Sequence, residues 1–322
     1  MSIPASPVTG CRTSVSATLP TVPTTRIVDG KPTTALKQWC TGLALTGTGA
    51  LWLTCFLLGP LAAIAVLAFA QRGDYGELVW QFSTENFWRM LGYTSFGWTP
   101  DHLWILVRSV TLAAITTIMC LLLGFPLAFW VAARSRTWRT LLLALVMLPT
   151  CVNLVIRTYA WQLILGSNAP PAWIAAWCGF IDSGASLYPS AGAVYLGMVS
   201  AMLPFAALPL YTSVERLDWS LVEAAQDLYA GRWATFRHGV LPQVVPGLVA
   251  ATILTAIPSL GMFVVSDLLG GAKYMLIGNL IQQQFGAASD WPFGAMLGLS
   301  LILATLASVA VLIRWGQREG VR

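Results

Sequence analysis

Glu223, Arg157 and Asp267 are charged residues placed where chemistry could be done in an otherwise apolar chain. Glu223 follows Ser220 by three positions in Ser220-Leu-Val-Glu-Ala-Ala-Gln-Asp-Leu-Tyr-Ala-Gly231. That spacing predicts a capping box: the Ser220 hydroxyl accepts the Glu223 amide while the carboxylate accepts the Ser220 amide. Leu221 to Ala230 are good helix formers, and Gly231 can end the helix in a left-handed conformation. Arg157 lies in Asn153-Leu-Val-Ile-Arg-Thr-Tyr-Ala-Trp161, and Asp267 lies near the end of Ser259-Leu-Gly-Met-Phe-Val-Val-Ser-Asp-Leu-Leu-Gly-Gly271. A charge at the centre of a bilayer costs roughly 2.5–3.5 kcal/mol on insertion scales, so Arg157 needs a partner or water. It can snorkel to the headgroups, pair with a buried acid, of which Asp267 is one, or line a wet cavity. Asp267 is either a helix-end residue in interfacial water or a carboxylate that helps pass a cation.

Covalent and metal chemistry find no residues. The cysteines are Cys11, Cys40, Cys55, Cys120, Cys151 and Cys178, without a Cys-x-x-Cys pair or a Cys/His cluster. The histidines, His102 and His238, are far apart. The sequence contains no His-Glu-x-x-His, no Gly-x-Ser-x-Gly and no P-loop. An enzyme is therefore disfavoured, metal binding is unsupported, and any ATP hydrolysis must come from another chain.

The elements that position the charged residues follow from composition. Apolar residues make up 57% of the chain and charged residues 10%, well away from a soluble domain. Six apolar runs are each long enough for a tilted membrane helix: Gly42–Ala70, His102–Ala132, Leu141–Gly166, Ser190–Thr212, Val244–Leu268 and Trp291–Trp315. The predicted fold class is all-α, a polytopic membrane protein. Pro149 and Pro258 interrupt the third and fifth runs. Each proline frees a carbonyl, which packing absorbs as a kink or which marks a wall of a solute path. Residues 1–41, with Pro4, Pro7, Pro20, Pro23 and Pro32, read as a disordered tail without a signal-peptide core. A connecting loop over 213–243 separates the fourth and fifth runs, and 316–322 form a short C-terminal tail. Between the third and fourth runs, Asn168–Pro189 reads as a re-entrant or interfacial segment anchored by Trp173 and Trp177.

Lys and Arg set the expected orientation. Arg12, Arg26, Lys31, Lys37, Arg134, Arg136, Arg139, Arg216, Arg232, Arg237, Arg314, Arg318 and Arg322 fall on one side, against Arg72, Arg89 and Lys273 on the other. Both termini and the Glu223 loop are therefore predicted to be cytoplasmic. Asp74, Glu77, Glu85, Asp101, Asp182 and Asp290 make the outer face acidic, and Cys178 is the only cysteine expected there, so no external disulfide pair is available.

The Glu223 loop resembles the "EAA" loop of permease subunits of ATP-binding-cassette (ABC) importers. Glu223, Ala224, Ala225, Leu241 and Pro242 fall in register with that pattern. Tyr229 stands where the family has Gly, and Gly239 where it has Ile; Gly231 can take over the turn. Val155-Ile-Arg-Thr-Tyr-Ala-Trp161, Ser266-Asp-Leu-Leu-Gly-Gly-Ala-Lys273, Leu276-Ile-Gly-Asn-Leu280 and Asp290-Trp-Pro-Phe-Gly-Ala295 are similar to the spermidine/putrescine branch of those permeases. The resemblance implies the MetI-like permease fold of six transmembrane helices, with a coupling helix between the fourth and fifth spans. It implies two ATP-binding subunits carrying ATP and magnesium, a second permease of the same fold, a soluble substrate-binding protein, and location in a bacterial inner membrane. Ser220, Glu223, Ala224, Ala225, Asp227, Gly231, Leu241 and Pro242 would then couple to the ATPase. Arg157, Tyr159, Trp161, Pro258 and Asp267 would line the path. A polyamine cation suits carboxylates and aromatic faces, while Arg157 would repel it unless neutralised. Permeases for opines, sulfate, molybdate or ferric iron are the nearest alternative, and an ATPase-independent channel or secondary transporter is a further one.

Overall fold

The computed structural model describes residues 32–73, 77–94, 97–179, 182, 184–229, 231–271 and 274–320. The chain divides into a unit that ends at Leu58 and a second unit from Gly59 onward. Helix α1 (Pro32–Ala68) runs through both. It begins inside the stretch expected to be tail. Proline at the first helical position loses no hydrogen bond, so Pro32 starts the helix that it was expected to prevent. The tail before Pro32, Lys273, Arg322 and the expectation of disorder lie outside the described residues.

Two-residue strands form small hairpins after α1: β1 (Gln71–Arg72) pairs with β2 (Leu78–Val79), and, beyond α2 (Glu85–Met90), β3 (Tyr93–Thr94) pairs with β4 (Gly97–Trp98). Then come α3 (Asp101–Ala132), α4 (Arg136–Met147) with a 3-10 turn at Leu148–Cys151, α5 (Leu154–Ile164), α6 (Pro170–Trp177) and α7 (Ala191–Glu215). The connecting loop holds α8 (Trp219–Asp227) and α9 (Arg232–Thr235). A wide π turn at Phe236–Val240 leads from α9 into α10 (Leu241–Gly261). Helices α11 (Phe263–Gly270), α12 (Ile277–Phe285) and α13 (Trp291–Gly320) complete the order. The chain is mainly helical, as expected from the apolar runs.

Among the described residues, five helices are long and apolar enough to cross a membrane. The third run supplies the sixth span only as a broken pair: Arg136–Cys151 and Leu154–Ile164 meet at 94°. Pro149 sits in the 3-10 turn at that break, so the proline ends a helix instead of kinking one. The fifth run differs. Pro258 lies inside α10, and the interruption comes at Met262, whose backbone is extended (φ −78, ψ 95). Asn168–Pro189 contains the short helix α6, with Trp173 and Trp177 exposed.

Helices α3, α7 and α10 form the centre of the second unit. Cys120, Ala128 and Val131 pack with Ala201, Ala206 and Leu210 and with Val244 and Ala251. Lipid tails are as apolar as leucine, so helices associate in a membrane through close packing of small residues. Gly247 shows how close: a Cβ there would come within 2.1 Å of Ser213 Oγ and 2.7 Å of the Pro209 carbonyl. A second apolar cluster joins Leu112, Leu165, Val194, Met198, Val265, Leu269 and Leu276, which ties α5 and α11 to α3 and α7.

Candidate functional site

The loop helix α8 is capped by a residue that the sequence pattern does not select. Its N-cap is Asp218, whose Oδ1 accepts the Ser220 amide at 3.0 Å and the Ser220 hydroxyl at 2.8 Å. Those two donors hold the Asp218 carboxyl below the usual carboxylate range. The expected capping box between Ser220 and Glu223 does not form, because the helix starts at Trp219 and Ser220 is already inside it. Glu223 is exposed.

The end of α8 also departs from expectation. Gly231 is extended (φ −62, ψ 157) and begins α9. Tyr229 is the left-handed residue, at φ 58. It occupies the position where the related pattern has glycine, so the turn stays where the pattern puts it. A tyrosine pays roughly 1–2 kcal/mol for that conformation.

Val222 anchors α8 in the central core beside Val240 and Val244. Gln243 holds the helix start: its Oε1 accepts the Asp218 amide at 2.8 Å, and its Nε2 donates to the Gly239 carbonyl at 2.7 Å and the Asp218 carbonyl at 3.3 Å. At Gly239 a Cβ would lie 3.6 Å from Val222 Cα. A larger side chain there would reach past that contact into α8. Leu241 and Pro242 open α10, with the proline in its first turn. The rest of α8 faces outward. Ala225 is half-buried, Ala224 and Asp227 are exposed, and Trp219, Leu221, Leu228, Tyr229 and Trp233 leave apolar surface uncovered.

The broken third span forms a second candidate region. Arg157 reaches back across the break, and its Nη1 donates to the Pro149 carbonyl at 2.9 Å. That carbonyl lies at the negative end of the helical run through α4, which partly offsets the guanidinium charge. On the other side of the break Asn153 caps α5, accepting the Val155 amide at 2.8 Å. Arg157 and Pro258 line one groove of about 580 Å³, together with Asn153, Phe205 and Met262. Tyr159, Trp161 and Asp267 do not line it. Tyr159 is exposed. Trp161 is half-buried and donates its indole N–H to Ser200 Oγ at 2.9 Å. Asp267 is exposed and accepts from Asn279 Nδ2 at 3.3 Å. No ion pair joins Arg157 to Asp267 among the described residues.

Other polar residues here are ones that sequence reasoning does not select. Arg108, inside the second span, stacks on the Tyr274 ring at 3.6 Å and lines a cavity of about 570 Å³ with Asp101, Trp104 and Tyr195. Its signal is a basic residue in an apolar run. Asp290 is buried, caps α13 through the Phe293 amide at 3.2 Å, and binds Arg89 at 3.0 Å with Arg72 at 3.8 Å. The sequence places Asp290 and the two arginines on the outer side without joining them; they form one cluster. Asn279 is buried, and nothing in its spacing announces this.

The helical core, the uncovered loop helix and the broken spans coincide with a known sequence family. The profile of the binding-protein-dependent transport system inner membrane component matches residues 121–315. The chain belongs to this family. It is a transport subunit, not an enzyme, and one inner-membrane component of a binding-protein-dependent system. Spermidine/putrescine transport system permease protein PotB of Salmonella typhimurium (strain SL1344) is 37% identical over 264 residues, covering 82% of this chain and 89% of that protein. PotB of Escherichia coli (strain K12) is 36% identical over 264 residues, covering 82% and 93%. Among solved structures, a chain of a bacterial ABC transporter involved in the import of the acidic polysaccharide alginate superposes with a TM-score of 0.68 at 16% identity, over 89% of this chain and 98% of that chain. At that identity the match speaks for the fold, the MetI-like importer permease fold.

Proposed function

We propose that this permease carries a polyamine such as spermidine or putrescine across the bacterial inner membrane by ATP-driven alternating access. The observation that carries the substrate class is the match to spermidine/putrescine permeases along 82% of the chain. Partners would be a second permease of the same fold, two ATP-binding subunits that hold ATP and magnesium, and a periplasmic binding protein that delivers the solute. Both termini and the α8 loop would face the cytoplasm, in keeping with the Lys/Arg bias.

The α8 surface supports an ATPase dock. Val222 and Gln243 fix the helix to the core while Leu221, Leu228, Tyr229 and Trp233 remain uncovered. Ser220 caps nothing for Glu223, which leaves that carboxylate free for a partner contact. Movement of α8 would pass through Val222 to α3, α7 and α10, which share one apolar cluster. In the path, Arg157 and Pro258 would border the solute at the groove, with the arginine partly neutralised by the Pro149 carbonyl. Asp267 would attract the cation near the end of the broken fifth span.

Uptake of labelled spermidine, putrescine, sulfate and molybdate by the complex reconstituted with its ATPase and binding protein tests the reading. Polyamine uptake dependent on ATP is the expected result. Uptake of an oxyanion alone would reassign the substrate, and solute flux without any ATPase would reassign the class. Glu223→Gln should weaken ATPase copurification, by about 2–5 kcal/mol if the carboxylate is buried against a partner charge. Reporter fusions at Arg322 and after Ala287 should report opposite sides; the same side would break the six-span topology.

A further inference from the structure

The turn after the fifth span contains a buried amide that ties separate pieces of backbone together. Asn279, in the first turn of α12, is 8% exposed. Its Nδ2 donates to the Phe263 carbonyl at 3.4 Å and to Asp267 Oδ1 at 3.3 Å, and its Oδ1 accepts the Leu276 amide at 3.3 Å. Phe263 is the first residue of α11, Asp267 lies one turn further, and Leu276 precedes α12. A carboxamide can make this set because it has two donor hydrogens and an acceptor; aspartate lacks the donors and leucine lacks both.

The surroundings show what the amide holds. Met262 separates α10 from α11 and offers no side-chain cap to the new helix. The first turn of α12 fills the space at that break. A Cβ on Gly278 would lie 3.0 Å from the Gly261 carbonyl oxygen and 3.1 Å from Phe263 Cβ. The adjoining Ile277 amide donates to Ser109 Oγ of α3 at 2.8 Å. Helix α12 is thus fastened to α3 by Ser109 and to α11 by Asn279, with its glycine against the end of α10.

We infer that Asn279 is a positioning residue for transport: it fixes α11 and the Asp267 carboxylate at the break of the fifth span, so that α11 and α12 move as one body about Gly261–Met262. The inference rests on the reading of Asp267 as a carboxylate of the path. In this arrangement Asn279 does not touch the solute. It sets the direction of the group that does.

Asn279→Ala, Asn279→Asp, Asp267→Asn and the exchange Asp267→Asn/Asn279→Asp test this in the complex with its ATPase and binding protein. Copurification of the ATPase controls for assembly, and spermidine uptake is measured across concentrations. Asn279→Ala should lower the maximal uptake rate about tenfold while the half-saturating concentration moves less than about twofold. Asn279→Asp sets two carboxylates side by side and should be at least as impaired. The exchange returns a donor–acceptor pair with the roles reversed. The amide now on α11 can donate to the carboxylate now on α12, which still accepts the Leu276 amide. Because the exchange also removes the carboxylate from position 267, its uptake should be no better than that of Asp267→Asn, but its stability in detergent should exceed that of Asn279→Asp, a coupling that single losses do not predict. Wild-type uptake by Asn279→Ala, or an exchange no more stable in detergent than Asn279→Asp, overturns the inference. The two readings fail separately. Impaired Asp267→Asn with a normal Asn279→Ala removes the positioning role and keeps Asp267 in the path. Normal Asp267→Asn with an impaired Asn279→Ala removes Asp267 from the path and keeps the fastening of α11. If Asn279→Ala fails to assemble, the exchange against Asn279→Asp decides.

Discussion

Helix α8 is held by one buried side chain, Val222, and by the Gln243 amide at its start. Helix α12 is held by a buried asparagine, a serine from α3 and a glycine pressed on the end of α10. Both are short helices attached to the same three-helix core, yet one keeps its polar and aromatic face open and the other pairs the polar groups of its first turn internally. The difference follows from solvent. In a loop outside the bilayer, water satisfies whatever α8 leaves unpaired, so a single apolar anchor suffices and the rest of the surface is available to a partner. At the break of a span, each freed backbone group needs a protein partner or cavity water. The broken third span obeys the same rule through Arg157 on the Pro149 carbonyl and Asn153 on the Val155 amide.

The comparison can be broken most directly at Val222. Val222→Asp places a carboxylate in the core, which costs several kcal/mol, and should reduce ATPase copurification about a hundredfold while the spans still insert. Retained copurification would mean that α8 does not carry the dock. At the broken span, Arg157→Met should lower the unfolding free energy in detergent by about 1.5–3 kcal/mol, the range for a hydrogen bond from a charged donor. Arg157→Lys should lose less, because an ammonium can still reach one carbonyl. Equal stability of all three proteins would show that water already serves the Pro149 carbonyl.

Smaller effects separate stability from docking on α8. Tyr229 is left-handed and almost fully exposed. Tyr229→Gly should therefore stabilise the loop by about 1 kcal/mol, read as slower amide exchange after α8. If the ring also meets the ATPase, copurification should fall while exchange slows. The smallest effect concerns pH. The Asp218 carboxyl is held below its usual range by Ser220. Its contribution to the α8 start is present above the unfolded carboxylate range and is lost as pH falls through the lower folded value. Protection of the Ser220 amide should drop on acidification through that window, and Asp218→Asn should remove the step. Protection independent of pH in the wild type would take Asp218 out of the cap.

Several features are legible in the sequence because they depend on local composition. The apolar runs mark the spans, and the second and fourth, His102–Ala132 and Ser190–Thr212, lie close to the helices Asp101–Ala132 and Ala191–Glu215, since crossing a bilayer is a requirement of length and hydropathy alone. Pro149 marks a real break, and the Glu-Ala-Ala, Leu-Pro spacing marks a helix that lies where it is expected. The cap of α8 lies two residues before the one that spacing selects. Asp218 and Ser220 are both good N-caps by type, and the choice falls to Asp218 because Gln243, distant in sequence, binds the Asp218 amide and carbonyl and fixes the chain there. Pro258 is expected from sequence to interrupt the fifth span. The helix accommodates it, and the chain breaks instead at Met262, where α12 packs.

By itself the sequence determined the helical membrane class, the number of apolar runs, the position of the loop helix and the family resemblance that the profile match bears out. Those are properties of hydropathy, periodicity and short spacing. Tertiary structure decided which charges meet. Arg157 takes a carbonyl and not Asp267, Asp267 takes Asn279, and Asp290 gathers Arg89 and Arg72 from far along the chain. Arg89 and Asp290 lie 201 residues apart, and the pairs made by Arg157 and Asp267 cross breaks between helices at separations of 8 and 12 residues. Their partners are set by how the helices pack, and small residues such as Gly247 and Gly278 set how closely they pack.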